Sequence, residues 1–218
     1  MLELYETDVY VIQECEDPKQ SNSSEYKAWA GTHLWLGTSH NKGLGVFAKN
    51  QVKLTALNLD PENLESFIPC MLNDKILFLA VWTKQANSPT FGYIGQLWKY
   101  LQKHRTIFSD KDAMIIGDLN SNACWDKWDR WWNHSDVVRE LDELGISSLY
   151  HNFKCEAQGS ESIPTFYMHR KLEKPYHIDY AFLTKKWCSS ASIEIGDAGI
   201  WLKYSDHMPL LITLEIPE

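Results

Sequence analysis

Four short apolar runs in this sequence each carry acidic residues or a His–Asp pair at one end: VIQE at Glu14, AMIIGDLN at Asp118 and Asn120, HIDYAFLT at His177 and Asp179, and SDHMPLLITLEI at Asp206 and His207. Short runs rich in Val, Ile and Leu, closed by turn residues, predict strands buried on both faces. Strands that turn polar at one end only predict a sheet with one chemical rim, because α/β folds place their sites beyond strand ends. A single acid after a strand is usually a turn former or a cap. Four such ends together point to one shared site.

The remaining segments supply the rest of an α/β domain. THLWLGT and KGLGVFAK predict two strands joined by SHNKG, a hairpin connection in which Gly43 supplies positive φ; the polar DPKQSNSS before them predicts a loop. KILFLAVWT predicts a buried strand, and Ile94, Leu97, Trp98 and Leu101 fall on one face of a helix over 93–103. Gly117 breaks its strand just before Asp118. Ser135 predicts the N-cap of a helix that presents Val137, Leu141 and Leu144 and stops at Gly145. No repeat, low-complexity tract or linker interrupts the 218 residues, so one domain over 1–218 is expected.

The formal charge of −8 argues against holding nucleic acid on a broad basic surface, because that affinity comes from neutralised phosphates. It is compatible with carboxylates gathered around a divalent cation, whose charge restores local attraction for phosphate. Cys15, Cys70, Cys124, Cys155 and Cys188 are odd in number and scattered, with no C-x-x-C pair, which predicts a reducing compartment. The start, MLELYETDVYVIQE, is acidic where a secretory signal is basic, and no run reaches about 18 apolar residues. A cytoplasmic protein without membrane contact is expected.

Carboxylates without cysteine ligands suit a hard cation such as Mg²⁺ or Mn²⁺, which keeps several waters for a substrate phosphate to replace. A His beside an Asp has its tautomer fixed and its protonated form stabilised, and an amide such as Asn120 can donate to an oxygen on which charge builds. Metal, acid–base pair and oxyanion donor together make a phosphoryl-transfer site.

GDLN, HIDY and SDHMP, in that order after a strand ending in QE, resemble the endonuclease/exonuclease/phosphatase superfamily, the deoxyribonuclease-I-like fold. The resemblance covers nearly the whole chain. It implies a four-layer α/β sandwich of two packed mixed β-sheets flanked by helices. It also implies roles: Glu14 a ligand of the principal metal ion, Asp118 the group that orients or deprotonates the attacking water, and Asn120 a holder of the scissile phosphate. Asp179 would pair with His207, whose imidazole would contact the phosphate; Asp206 would complete the metal's surroundings. His177 would be either a phosphate contact or a structural hydrogen bond at a strand start.

Two departures from that family bear on function. Relatives begin with a strand bearing a metal-organising Asn and then a helix; here Leu2, Leu4 and Tyr5 resemble the last turn of that helix, so the usual first strand is expected to be missing. An uncovered sheet edge is a liability, so a homo-oligomer, a partner chain or a rearranged terminus is expected to cover it. Relatives also carry a catalytic His or Tyr near the end of KILFLAVWT, where this chain has Trp82, whose indole N–H only donates. Tyr93 and His40 are the alternative phosphate contacts.

Beyond GDLN, Trp125, Trp128, Trp131 and Trp132 recur at helical spacing beside Lys127 and Arg130. They would either pack a helix on the sheet or stack on bases. Asp126 and Asp129 would oppose a phosphate backbone. The expected substrate is a nucleic acid, DNA or RNA, or a nucleotide phosphate; the alternatives are small phosphate esters, or a binding protein that keeps the fold.

Overall fold

In the computed structural model, which describes residues 5–86 and 88–215, the chain opens with β1 (Val9–Cys15), α1 (Ser24–Ala30) and a hairpin of β2 (Thr32–Ser39) and β3 (Lys42–Ala48). Next come β4 (Leu54–Ala56), β5 (Phe67–Leu72), β6 (Ile76–Trp82), the long helix α2 (Ile94–Asp110), β7 (Ala113–Asp118) and α3 (His134–Glu143). β8 (Ile146–Ser148) runs into α4 (Leu149–Lys154), and β9 (Phe166–Tyr167) pairs with β10 (Pro175–Tyr176). β11 (Asp179–Thr184), β12 (Ala191–Ile195), α5 (Ala198–Trp201) and β13 (Leu210–Leu214) complete the described chain.

The central layer is a mixed sheet of six strands in the order β4-β5-β6-β7-β11-β8, in which β6 and β7 are parallel and joined by α2. Alternation of side chains splits its residues between two cores. Leu77, Leu79, Val81 and Ile115 face Leu97, Leu101, Val137 and Leu141 of α2 and α3. Phe78, Ala80, Met114, Ala181 and Leu183 face the opposite way, toward Leu44 and Val46 of β3 and Ile193 of β12. Every residue of β6 is buried, as a strand covered on both sides requires. Outside β3, α1 forms a fourth layer: the rings of Tyr26 and Trp29 lie 6.4 Å and 5.0 Å from that of Phe47.

The layer facing the second core comes in two pieces, an antiparallel sheet β1-β3-β2 and an antiparallel pair β12-β13. Among the described residues β1 pairs only with β3, and β13 only with β12. Both pieces contribute to one core, yet Val9 and Val11 on one side and Leu210, Ile212 and Leu214 on the other stay partly exposed. Ile116, on an interior strand of the central sheet, is also only partly buried. A seam therefore divides this layer, and β1 and β13 each have one edge unpaired among the described residues.

Several local predictions are corrected. Gly43 is not a turn residue with positive φ; it lies in β3, where a Cβ would come 2.4 Å from the Trp35 ring and 2.7 Å from the Leu36 carbonyl. Asn133, not Ser135, occupies the N-cap of α3, and Asp126 takes the amides of His134 and Ser135 at 2.8 and 3.1 Å. Gly145 follows α3 with φ +72, the left-handed stop. The tryptophan segment is a 3-10 turn at Ala123–Trp125 followed by irregular loop. Leu2 and Leu4 lie outside the described residues; Tyr5 sits in a bend with its ring 5.9 Å from that of Trp201.

Candidate active site

The β-ladder itself assembles the heart of the site. Trp82 of β6, Asp118 of β7 and Asp179 of β11 are successive register partners, so three strand ends fall in one row and two of them carry carboxylates. Gly117 makes the tight approach possible. Its φ is +150 and a Cβ there would lie 1.8 Å from the Val81 carbonyl oxygen, a contact no side chain tolerates.

Asp118 is 4% exposed and accepts from the Asn120 amide N–H at 2.7 Å and from Asn120 Nδ2 at 2.7 Å. Asn120 bends back with φ +43, and its Nδ2 also donates to the Thr83 carbonyl at 3.0 Å. Both residues are thus fixed against the end of β6. Burial pushes the Asp118 carboxyl up to about 8, with the Asp179 charge adding to the rise and His207 opposing it.

Asp179 accepts from His207 Nδ1 at 2.9 and 3.2 Å, which leaves Nε2 as the imidazole nitrogen that can serve a substrate. Burial works against a charged imidazole, but the charge and hydrogen bond of Asp179, then Asp118 and Asp206, raise His207 to about 9. The backbone of His207 is held by Ser205 Oγ at 3.0 Å and by a bridge to Phe166. Asp118, Asp179 and His207 each offer a donor atom within 4.8 Å of the other two, the metal-capable cluster among the described residues.

Glu14 and Asp206 stand at the borders of that cluster rather than in it. Glu14 occupies the irregularity in β1 between Ile12 and Cys15, with φ +59, and pairs with Lys42 at 2.9 Å; Lys42 in turn lies 5.6 Å from the Trp82 ring. The charge of Glu14 still reaches Asp118, adding to its raised pKa. Asp206 accepts from the Tyr167 amide through its carbonyl at 2.8 Å, and its charge acts on His207.

His177 turns away from the cluster. It is 4% exposed, with Nδ1 bonded to the Ile163 carbonyl at 2.8 Å, Nε2 buried without a partner, and the Tyr150 ring at 4.4 Å. Burial lowers its pKa, so it is held neutral.

Sequence reasoning missed the residues that hold the cluster in place. Thr165 is fully buried, and its hydroxyl accepts from the amides of Ile178 and Asp179 at 3.0 Å each, while its carbonyl takes the Met208 amide at 2.7 Å. It thereby ties Asp179 to the segment of His207. Asn122 donates to Glu161, the His177 carbonyl and Tyr180 at 2.9, 3.0 and 3.1 Å. Its place two residues after Asn120 was the available signal; Thr165 offered none.

No protein-family model and no curated protein matches the chain. Solved structures do. An AP endonuclease from Archaeoglobus fulgidus is 18% identical, with a TM-score of 0.69 over 96% of this chain and 89% of that one. This chain has the deoxyribonuclease-I-like fold. Two Neisseria structures share it at 15% identity and TM-score 0.64: a 3′ phosphatase, NExo, bound to a product DNA hairpin, covering 97% of this chain and 89% of its own, and the 3′-5′ exonuclease NExo from Neisseria meningitidis, at 96% and 90%. The architecture is thus the fold that the motifs imply. Among the described residues no helix is long and apolar enough to cross a membrane.

Proposed function

We propose that this chain is a divalent-metal-dependent phosphodiester hydrolase that cleaves nucleic acid. The observation that carries the reading is the convergence of Asp118, Asp179 and His207 within 4.8 Å on adjacent strand ends. The fold neighbours, an AP endonuclease, an exonuclease and a 3′ phosphatase with a DNA product, support a nucleic-acid substrate.

The donor set fits a hard divalent cation. Two carboxylates oppose each other at register partners, the cluster found among the described residues contains no cysteine, and Asp118 is raised partly by its neighbour's negative charge, which a cation would relieve. Glu14 and Asp206, with the cluster carboxylates, are the residues that would hold Mg²⁺ or Mn²⁺. Bound there, the ion supplies Lewis-acid polarisation of a phosphoryl oxygen.

The protein's own groups divide the remaining work. Asp118, as the carboxylate that a neighbouring cation would favour, takes the proton of the attacking water as the water oxygen bonds to phosphorus; the leaving oxygen departs with its bonding pair and takes a proton from solvent. His207, kept cationic by Asp179, presents Nε2 to the phosphate oxygens. Asn120 orients Asp118 and, when its amide turns outward, donates to the scissile phosphate. His177 takes the structural one of its two expected roles, its Nδ1 bonded to the Ile163 carbonyl just before β11.

Incubation of the purified chain with single- and double-stranded DNA, RNA, a chromogenic diester and a phosphomonoester, each with Mg²⁺, Mn²⁺ or chelator, tests the reading. Chelator-sensitive cleavage that Asp118→Ala and His207→Ala both abolish is expected. Turnover of the monoester alone would make the chain a phosphatase, and an equal residual signal in wild type and variants would make it a binding protein.

The seam in the layer of β1 and β13 extends the reading to a partner. A strand from a second copy of this chain or from another chain adds there, since edges unpaired among the described residues and partly exposed apolar side chains flank it. A species of monomer mass at every concentration, with fast-exchanging amides in β1 and β13, would exclude this. The five cysteines, none bridged, support a cytoplasmic setting; a denatured, unreduced sample from cells should titrate with five thiols.

A further inference from the structure

The reaction above leaves the tryptophan-rich loop without a task. Trp125, Trp128 and Trp131 are 42%, 98% and 64% exposed. Trp132 turns inward, its ring 4.7 Å from that of Phe91 and against Gly95. The loop that presents the other three is built rather than slack. The Asn133 side chain accepts from the Lys127 amide at 2.9 Å and Arg130 Nε at 2.8 Å, and donates to the carbonyls of Lys127 and Arg130 at 2.9 and 2.6 Å. Both oxygens of Asp126 are occupied at the start of α3. Large apolar side chains held in water by a bonded backbone mark a binding surface.

Two observations choose the partner. Ring contacts run without a break from the reactive imidazole to the loop: His207 to Phe166 at 4.6 Å, Phe166 to Tyr176 at 6.4 Å, and Tyr176 to Trp125 at 5.2 Å. Charge reverses locally as well. In a chain of net charge −8, the segment before Tyr176 carries Arg170, Lys171 and Lys174 against Glu173, while in the tryptophan loop Lys127 and Arg130 balance Asp129 and Asp126, the latter with its oxygens drawn in at the start of α3. Flat apolar faces beside cations, continuous with a phosphate-cleaving centre, match a strand of unpaired bases, in which bases stack and phosphates meet the cations.

We propose that Trp125, Trp128 and Trp131 form a stacking platform for the unpaired bases of a single-stranded segment adjoining the cleaved phosphodiester. This deepens the hydrolase reading and rests on it for the direction of the strand.

Fluorescence anisotropy in chelator, where nothing is cut, tests it with labelled single-stranded DNA, the same strand as RNA, and a blunt duplex. Base–aromatic stacking of about 1–3 kcal/mol predicts that Trp128→Ala raises the single-strand Kd by roughly tenfold, and the double variant Trp128→Ala, Trp131→Ala by more. The ratio of single-strand to duplex affinity falls with it. Trp128→Phe keeps a π-face, so it holds the affinity within about threefold while losing part of the indole quenching that accompanies binding. Tryptophan variants that bind strands as wild type does would overturn the platform and leave these rings to a protein partner. So would a wild type that binds blunt duplex as tightly as single strands. Intact, tryptophan-dependent strand binding in a protein with no Asp118-dependent cleavage would sink the hydrolase reading alone.

Discussion

Ile115 and Ile116 are neighbours on the same strand, yet Ile115 is 1% exposed and Ile116 stays partly open. The first faces α2 and α3; the second faces the seam. The helix-covered side of the central sheet is closed, and the strand-covered side is divided. That difference reaches the active site. Asp118 and Asp179 rise from the intact ladder and are fixed by register, whereas Glu14 and Asp206 adjoin the strands on opposite sides of the seam and stand outside the donor cluster. A site can thus be half assembled by one sheet and half dependent on what joins two others.

The largest expected effect tests this division at the chemistry. Asp118→Ala should lower kcat by about 10²- to 10⁴-fold, the range for losing a positioned acid–base group, while Glu14→Ala should mainly raise the Mg²⁺ needed for half-maximal rate. Equal losses of kcat in the two variants would mean that the seam side is as well assembled as the ladder side.

Stability should divide along the same line. Ile115→Ala is expected to cost about 2–5 kcal/mol in urea unfolding, as a fully packed side chain does, and Ile116→Ala roughly half as much or less, because part of that side chain already meets water. Matching costs would argue that the seam is closed in solution.

Acid should weaken the closed side. His134, fully buried on α3 beside Tyr180, has its pKa lowered to about 4 by burial, against 6.5 for the unperturbed group. Its neutral form is the native one, so its contribution is complete above about pH 6.5 and is lost as pH falls toward about 4. The loss amounts to about 3 kcal/mol. Unfolding midpoints of wild type and His134→Gln measured at both ends of that window should converge at the acid end; parallel curves would remove His134 as the cause.

The smallest effect concerns Lys42. Its exposed ion pair holds Glu14, and pairs of this kind are worth about 0.2–1 kcal/mol. Lys42→Ala should therefore lower the half-saturating Mg²⁺ by roughly 1.4- to fivefold, read from rate against metal concentration.

The strands that carry the site were legible because an apolar run with a polar end is one signal for both burial and position; β1, β7, β11 and β13 follow it. β5 was not. Pro69 speaks against an interior strand, but β4 pairs only with Cys70, Met71 and Leu72, so Pro69 lies beyond its neighbour's end, where it need not donate. The seven residues of α1 are too few to show a stripe. Tryptophans at helical spacing suggested a helix, and the side chains of Asp126 and Asn133 took the backbone groups that a helix would have used. The Asp179–His207 pair follows from sequence order and resemblance. The engagement of Glu14 with Lys42 depends on a break in tertiary pairing that no local pattern encodes.

Gly117 sets where this site has mutational latitude. With the Val81 carbonyl filling the space a side chain would need, any substitution at Gly117 would push β6 and β7 apart and displace Trp82 and Asp118 with them. Adjustment of reach toward a larger or smaller phosphate ester must then enter through the flanking strands β1 and β13, and a designer would vary those first.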